Sequence, residues 1–248
     1  MEVRSSAAQP STSPPELLVA ANRAATLETV LRWMLHDLRN PVQTLHFLPA
    51  LQSAELESGG ASTWQDAFTS VCERLSGGLA IVDRLVGHTV EAEEPQPVAL
   101  GEILGFLTDL FRARRGRFEV DFAGVREIPL PAIAAVRRDL ETALLNLLLN
   151  SAEAAGDQAG RVTAHAVVGP DVLDLVLEDD GPGVSADLRP RLFEPFVTGW
   201  TGRPGRGLGL FAARHLLSGA GADLRYEPRD PGSRFILRLP VWRSSAQQ

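Results

Sequence analysis

Gly205-Arg206-Gly207-Leu208-Gly209-Leu210 ends a glycine-dense stretch, Val197 to Gly209, and opens onto a helical pattern running from Leu208 to about Ser218. A loop-to-helix junction of this kind presents free backbone amides to an anion. The spacing is not Gly-x-Gly-x-x-Gly, because position 210 is leucine, and this disfavours a dinucleotide fold. All 24 basic residues of the chain are arginine. A Walker A loop and a protein-kinase site each need a lysine on the phosphates, so both are excluded. Phosphates bound here must be held by backbone amides, a metal, arginine, or some combination of these.

Upstream of the junction, Phe193-Glu194-Pro195-Phe196 opens the glycine-dense stretch, and Asp179-Asp180-Gly181-Pro182-Gly183 closes a strand predicted over Val172 to Glu178. A carboxylate followed by glycines at alternate positions can accept a hydrogen bond from a base amine while the backbone passes close to the ring. Asp-Gly turns after strands are also common, so the motif has a purely structural reading as well. Further upstream, Asn146-Leu147-Leu148-Leu149-Asn150 places two carboxamides at i and i+4 on one face of an apolar helix predicted over Pro131 to Ala155. Such amides either cap neighbouring loops or, in the case of Asn150, offer an oxygen to Mg2+, which prefers hard ligands. Helix is also predicted at Leu100 to Arg115, and strands at Arg117 to Phe122, Arg161 to Val168, Asp223 to Glu227 and Ser233 to Leu239. These elements suggest helices layered on one face of a mixed sheet.

The N-terminal part reads differently. Residues 1–15 are rich in Ser, Pro and Ala without periodicity and are read as a tail. From Glu16 to about Ser58 a helical seam of Leu27, Leu31, Met34, Leu38, Leu45 and Leu48 recurs at steps of three, four or seven. His36-Asp37-Leu38-Arg39-Asn40-Pro41 lies within it. At 100° per residue, His36 falls opposite Leu27 and about 160° from Met34 and Leu38, so its ring is expected to point away from the packed face. A neutral histidine ring can attack an electrophile, and the adjacent Asp37 can hold its other nitrogen in the productive tautomer. Pro41 removes the hydrogen bond to the Asp37 carbonyl and should bend the helix there. After Gly59 and Gly60 a second helix is predicted from about Ser62 to Val90, with Glu91 to Pro97 as a linker. A hairpin leaves its apolar stripe exposed, and pairing with a second copy into a four-helix bundle covers it.

Composition narrows the function classes. A net charge of -7 and the absence of a basic stripe argue against a nucleic-acid surface. The single cysteine excludes an intrachain disulfide and a Cys-rich metal site. No apolar run approaches the ~20 residues needed to span a bilayer, and the N-terminus has neither the basic start nor the apolar core of a signal peptide. A cytoplasmic chain with no membrane contact is expected.

Taken in order, HDLRNP, NLLLN, DDGPG, FEPF and GRGLGL resemble the motif set of two-component sensor histidine kinases, over about residues 16 to 240. The fold class this implies is multidomain, α and α+β: a helical hairpin forming a dimeric four-helix bundle, then an α/β sandwich of the GHKL, or Bergerat, type. The implied domains are a disordered tail at 1–15, the dimerisation and phosphotransfer hairpin at 16–94, the catalytic ATP-binding domain at 95–240 and a tail at 241–248. The resemblance makes His36 the phosphoacceptor, Asp37 the acid that activates it, and Asn40 the residue that positions water for dephosphorylating a partner. It implies ATP as substrate and Mg2+ as cofactor, with Asn150 on the metal and Asn146 near the phosphates. Asp179 would pair with the adenine amine, Gly181 and Gly183 would shape the base pocket, and Phe193 and Phe196 would anchor a short lid. Gly205, Gly207, Leu208 and Gly209 would line the phosphates, with Arg203 or Arg206 compensating their charge. The implied partners are a second copy of the chain, through residues 16–94, and the receiver domain of a response regulator.

The same ATP fold serves clamps, chaperones and serine kinases, in which a glutamate usually stands four residues before the Mg2+ asparagine. Here that position is Asn146, which cannot deprotonate water or a serine. A phosphotransfer adaptor with a decayed ATP domain, or a dimeric scaffold, are the alternative readings. Decay would erase the glycines, Asp179 or Asn150, and all are intact.

Overall fold

The computed structural model describes residues 14–33, 69, 72, 94–113, 118–156, 158–199 and 207–243. The second helix of the expected hairpin, and with it the expected bundle, lies outside the described residues apart from two isolated positions. Helix α1 is described over residues 14–33, and two prolines occupy its first positions, where a missing N–H costs nothing. Among the described residues no helix is long and apolar enough to cross a membrane.

The remaining elements run β1 (Gln96–Val98), α2 (Leu100–Ala113), β2 (Phe118–Asp121), α3 (Ala123–Arg126), β3 (Ile133–Ala135), α4 (Arg137–Ala155), β4 (Gly160–Val168), β5 (Val172–Asp179), a 3-10 turn (Arg189–Arg191), α5 (Gly209–Gly219), β6 (Asp223–Pro228) and β7 (Ser233–Pro240). Strands β2, β4, β5, β7 and β6 form one sheet in that order, β2 and β4 parallel and the other neighbours antiparallel. The mixed sheet expected from the pattern is present.

Alternation along the strands sorts the residues. Leu173, Leu175 and Leu177 of β5, Phe235, Leu237 and Leu239 of β7, and Leu224 of β6 are buried against Leu104, Leu107, Leu140, Leu144, Leu147 and Leu148 of the helices. On the opposite face the register sets charges directly across strands: Asp174 faces Arg238, Glu178 faces Arg234, and Glu119 faces Arg161. Arg238 grips Asp174 with two hydrogen bonds of 2.9 Å. These bonds hold the Asp174 carboxyl below its usual range, against the opposing effect of its burial.

Two expectations need correction at the front of this sheet. Residues 133–135 are strand rather than helix, so the helix expected from Pro131 begins at Arg137. Gln96 and Pro97, read as the end of the linker, begin a strand instead: β1 pairs antiparallel with β3 from Gln96 opposite Ala135 to Val98 opposite Ile133. Residues 96–98 are thereby part of the folded body.

Helix α4 is buried nearly all round, because the sheet lies on one side and α5 and α1 on others. That burial is why its sequence lacks the usual polar face. It is also why the polar residues it does carry are informative.

Candidate functional site

A cavity of about 600 Å³ opens between α4, the segment following β5, the start of α5 and helix α1. Asp179 is 5% exposed at the end of β5. Its side chain accepts hydrogen bonds from the backbone N–H of Gly181 at 3.0 Å and of Ser233 at 3.1 Å, and Ser151 Oγ stands 3.3 Å away. Burial pushes the Asp179 carboxyl above its usual value, while the two backbone N–H groups and Ser151 oppose that rise. The result is a fixed acceptor on the wall of a half-open cavity, suited to an amine donor. Asp180, one residue on, is exposed and holds the backbone N–H of Arg161 at 2.8 Å. The paired aspartates thus divide between the cavity and the sheet.

The glycines flanking Asp179 have distinct reasons. Gly183 has φ +72, and a Cβ there would lie 2.9 Å from the Gly232 carbonyl oxygen. At Gly232, φ +101, a Cβ would lie 1.8 Å from the Asp179 carbonyl oxygen. Backbone therefore passes backbone directly beneath the Asp179 turn, and only glycine fits.

Across the cavity, Asn146 and Asn150 project from α4 one turn apart. Asn146 is 3% exposed, and its Nδ2 has no partner among the described residues. Asn150 is half-buried, so its oxygen is available to a hard cation. No cluster of three His, Cys, Asp or Glu side chains suited to a metal exists among the described residues. An asparagine oxygen completed by waters and phosphates is the donor set that fits Mg2+ here.

Gly207, Leu208 and Gly209 close the third side at the N-terminus of α5, and a Cβ on Gly209 would come within 3.9 Å of Asn146 Oδ1. The glycine-dense stretch is pinched at its base, where the Phe196 N–H donates to the Gly207 carbonyl at 2.9 Å. Phe196 and Gly207 both adopt positive φ, +66 and +62. Phe193 packs against the core, with the Arg214 guanidinium 4.9 Å from its ring centre. Phe196 is instead 64% exposed, so of the two expected anchors only Phe193 is seated.

The structure brings Asn146, Asn150, Asp179, Gly183, Gly207, Leu208 and Gly209 to one cavity, while Gly181 is outside its lining and donates its N–H to Asp179. His36, Asp37, Asn40, Arg203, Gly205 and Arg206 lie outside the described residues. Sequence reasoning missed Ser151, which braces Asp179, although its place beside Asn150 was a usable signal. It also missed Asn22 and Thr26 of α1, which line the cavity and donate to Asn146 Oδ1 at 3.1 and 3.0 Å. Nothing local marks these two as site residues.

Residues 135–243 match the family model described as histidine kinase-, DNA gyrase B-, and HSP90-like ATPase. The C4-dicarboxylate transport sensor protein DctB of Rhizobium meliloti (strain 1021) is 31% identical over 232 residues, 90% of this chain and 36% of that protein. The sensory histidine kinase/phosphatase NtrB of the same organism is 26% identical over 235 residues, 88% of this chain and 60% of that one. The chain thus spans only part of the length of these relatives. Among solved structures, the catalytic domain of histidine kinase ThkA is 25% identical with a TM-score of 0.53, covering 60% of this chain and 97% of that one. The mycobacterial sensor histidine kinase MprB is 26% identical with a TM-score of 0.50, covering 60% and 100%. The cavity therefore belongs to an ATPase domain of the histidine kinase, DNA gyrase B and HSP90 type, in a chain related over most of its length to two-component sensor histidine kinases.

Proposed function

We propose that this chain is the autophosphorylating core of a sensor histidine kinase, using ATP to phosphorylate His36 and passing the phosphoryl group to an aspartate of a response regulator. The observation that carries the reading is the pairing of a buried, hydrogen-bonded Asp179 at one end of the cavity with Asn146, Asn150 and the α5 N-terminus at the other. One end suits the amine of an adenine and the other suits phosphates. Asp179 selects the base, Gly183 lets the backbone approach the ring, and the amides of Gly207 to Gly209 take phosphate oxygens. Asn150 would hold Mg2+, which would supply charge neutralisation on the transferred group.

In the transfer itself, an imidazole nitrogen of His36 forms an N–P bond to the γ-phosphorus while the bond to the bridging β-γ oxygen breaks and ADP leaves. Asp37 orients the ring. The phosphoryl group then passes from that nitrogen to a carboxylate oxygen of the receiver domain. Asn40 positions water for the reverse signal, hydrolysis of the regulator's acyl phosphate. Residues 16–94 pair with a second copy of the chain, and dependence on ATP and a receiver domain places the reaction in the cytoplasm. Arg203 and Arg206 compensate phosphate charge in a site without lysine. Asn146 in place of a carboxylate leaves no base for activating water, which favours histidine as the acceptor.

Incubation with γ-labelled ATP and Mg2+ tests this directly. Label that is acid-labile, alkali-stable and absent from His36→Ala supports the kinase, whereas absence of ATP binding overturns it. Asn40→Ala is expected to lose regulator dephosphorylation while keeping autophosphorylation.

A further inference from the structure

Helix α1 docks on the catalytic domain through a stripe that is half polar. Val19, Asn22, Thr26 and Val30 are its buried residues, spaced three, four and four apart. Asn22 Nδ2 and Thr26 Oγ1 both donate to Asn146 Oδ1. Arg23 pairs with Asp139 of α4 at 2.5 Å, Val19 packs on Ala212 and Leu216 of α5, and Trp33 meets the Phe111 ring of α2 edge-on at 5.8 Å. One helix therefore clamps three others and supplies Asn22, Ala25, Thr26 and Thr29 to the cavity wall.

We propose that α1 is an intramolecular latch on the nucleotide site: when docked it occupies the Asn146 carboxamide and the phosphate end of the cavity, so nucleotide binding and α1 docking compete. This rests on the nucleotide reading of the cavity and adds to it a regulator carried in the same chain. Two features fit a reversible contact rather than a permanent one. Among the described residues the interface leaves Arg23 Nε and Asn146 Nδ2 buried without partners, a cost that undocking removes. The stripe is also confined to one side of the helix. The repeat of Leu17, Ala20, Ala24, Leu27 and Leu31, spaced three and four apart, centres about 135° away at 100° per residue, so docking leaves it free. By linkage, whatever nucleotide loses to docked α1, docked α1 loses to nucleotide.

The test is titration of the whole chain with ADP and Mg2+ by calorimetry, alongside amide hydrogen exchange of residues 19–30. The double variant Asn22→Ala, Thr26→Ala is expected to bind ADP about tenfold more tightly, the scale of two hydrogen bonds. Because those residues line the cavity, Arg23→Glu provides a second arm. Arg23 lies outside the cavity lining, so a tighter ADP affinity in Arg23→Glu, reversed by adding Asp139→Arg, reports docking alone. Saturating ADP is expected to speed exchange at residues 19–30 in the wild type. Unchanged or weaker ADP binding in both variants, or exchange that slows with ADP, overturns the latch while leaving the nucleotide reading standing. Failure of wild type and variants alike to bind ADP overturns the nucleotide reading, and the latch with it.

Discussion

Asp179 holds a carboxylate at a place where ionisation is disfavoured, with Gly181 and Ser233 N–H groups partly offsetting the burial. A carboxyl whose pKa is higher folded than unfolded binds its proton more tightly in the native state. Stability from this group is therefore greatest below the unfolded value, and is lost as pH rises through the folded one. Asp179→Asn keeps an acceptor for the two backbone N–H groups and can offer its Nδ2 to Ser151 Oγ. We expect this variant to melt at or above the wild-type temperature near neutral pH, with the advantage shrinking in acid, and to lose binding of adenine nucleotides. Thermal scans across pH together with ADP titration check both halves. The aspartate and its two following glycines were legible in the sequence because they are contiguous. Gly232 was not, since its necessity comes from Asp179 backbone more than fifty positions earlier in the chain. Gly232→Ala is expected to cost about 3 kcal/mol or more, read from denaturant unfolding, because the clash is with backbone rather than a mobile side chain.

At the scale of elements, the base of the glycine-dense stretch is a pinch built from two left-handed residues and one hydrogen bond. A Cβ at Gly207 would stand 2.7 Å from both the Phe196 carbonyl carbon and the Val197 oxygen. Gly207→Ala must therefore separate the two ends of the stretch, and with them the amides that open α5. We expect nucleotide affinity to fall by roughly tenfold and the melting temperature to fall with it, because Gly207 has a positive φ and its new Cβ would meet backbone atoms. Calorimetric titration and thermal melting measure the two effects. The long elements here were read correctly from periodicity: β4, β5, β7 and α5 fall within a residue or two of expectation. Strands β1 and β3 escaped because each is three residues long, and their partners lie over thirty residues apart. Pro131 fits a helix start as well as the turn before a strand, so propensity alone could not place the α4 boundary.

At the scale of the molecule, α1 turns one face to the catalytic domain and leaves a second face partly exposed. The leucine seam read from the sequence at Leu27 and Leu31 is only half-buried, and Leu17 is 58% exposed, because the catalytic domain takes the Val19, Asn22, Thr26, Val30 side instead. Hydrophobic periodicity could not reveal that docked face, since half of it is polar and gains its meaning only from Asn146. If the free seam is what a second copy of the chain covers, its loss should leave docking intact. Ala24→Glu combined with Leu27→Glu places charge on the seam in residues that favour helix, so α1 itself should persist. On the proposed dimer, we expect light scattering to report a wild-type dimer and a monomeric variant, with amide exchange at residues 19–30 unchanged and ADP affinity within about twofold. Loss of protection along α1 in this variant would show that dimerisation and docking are one event, and that the two faces do not act independently.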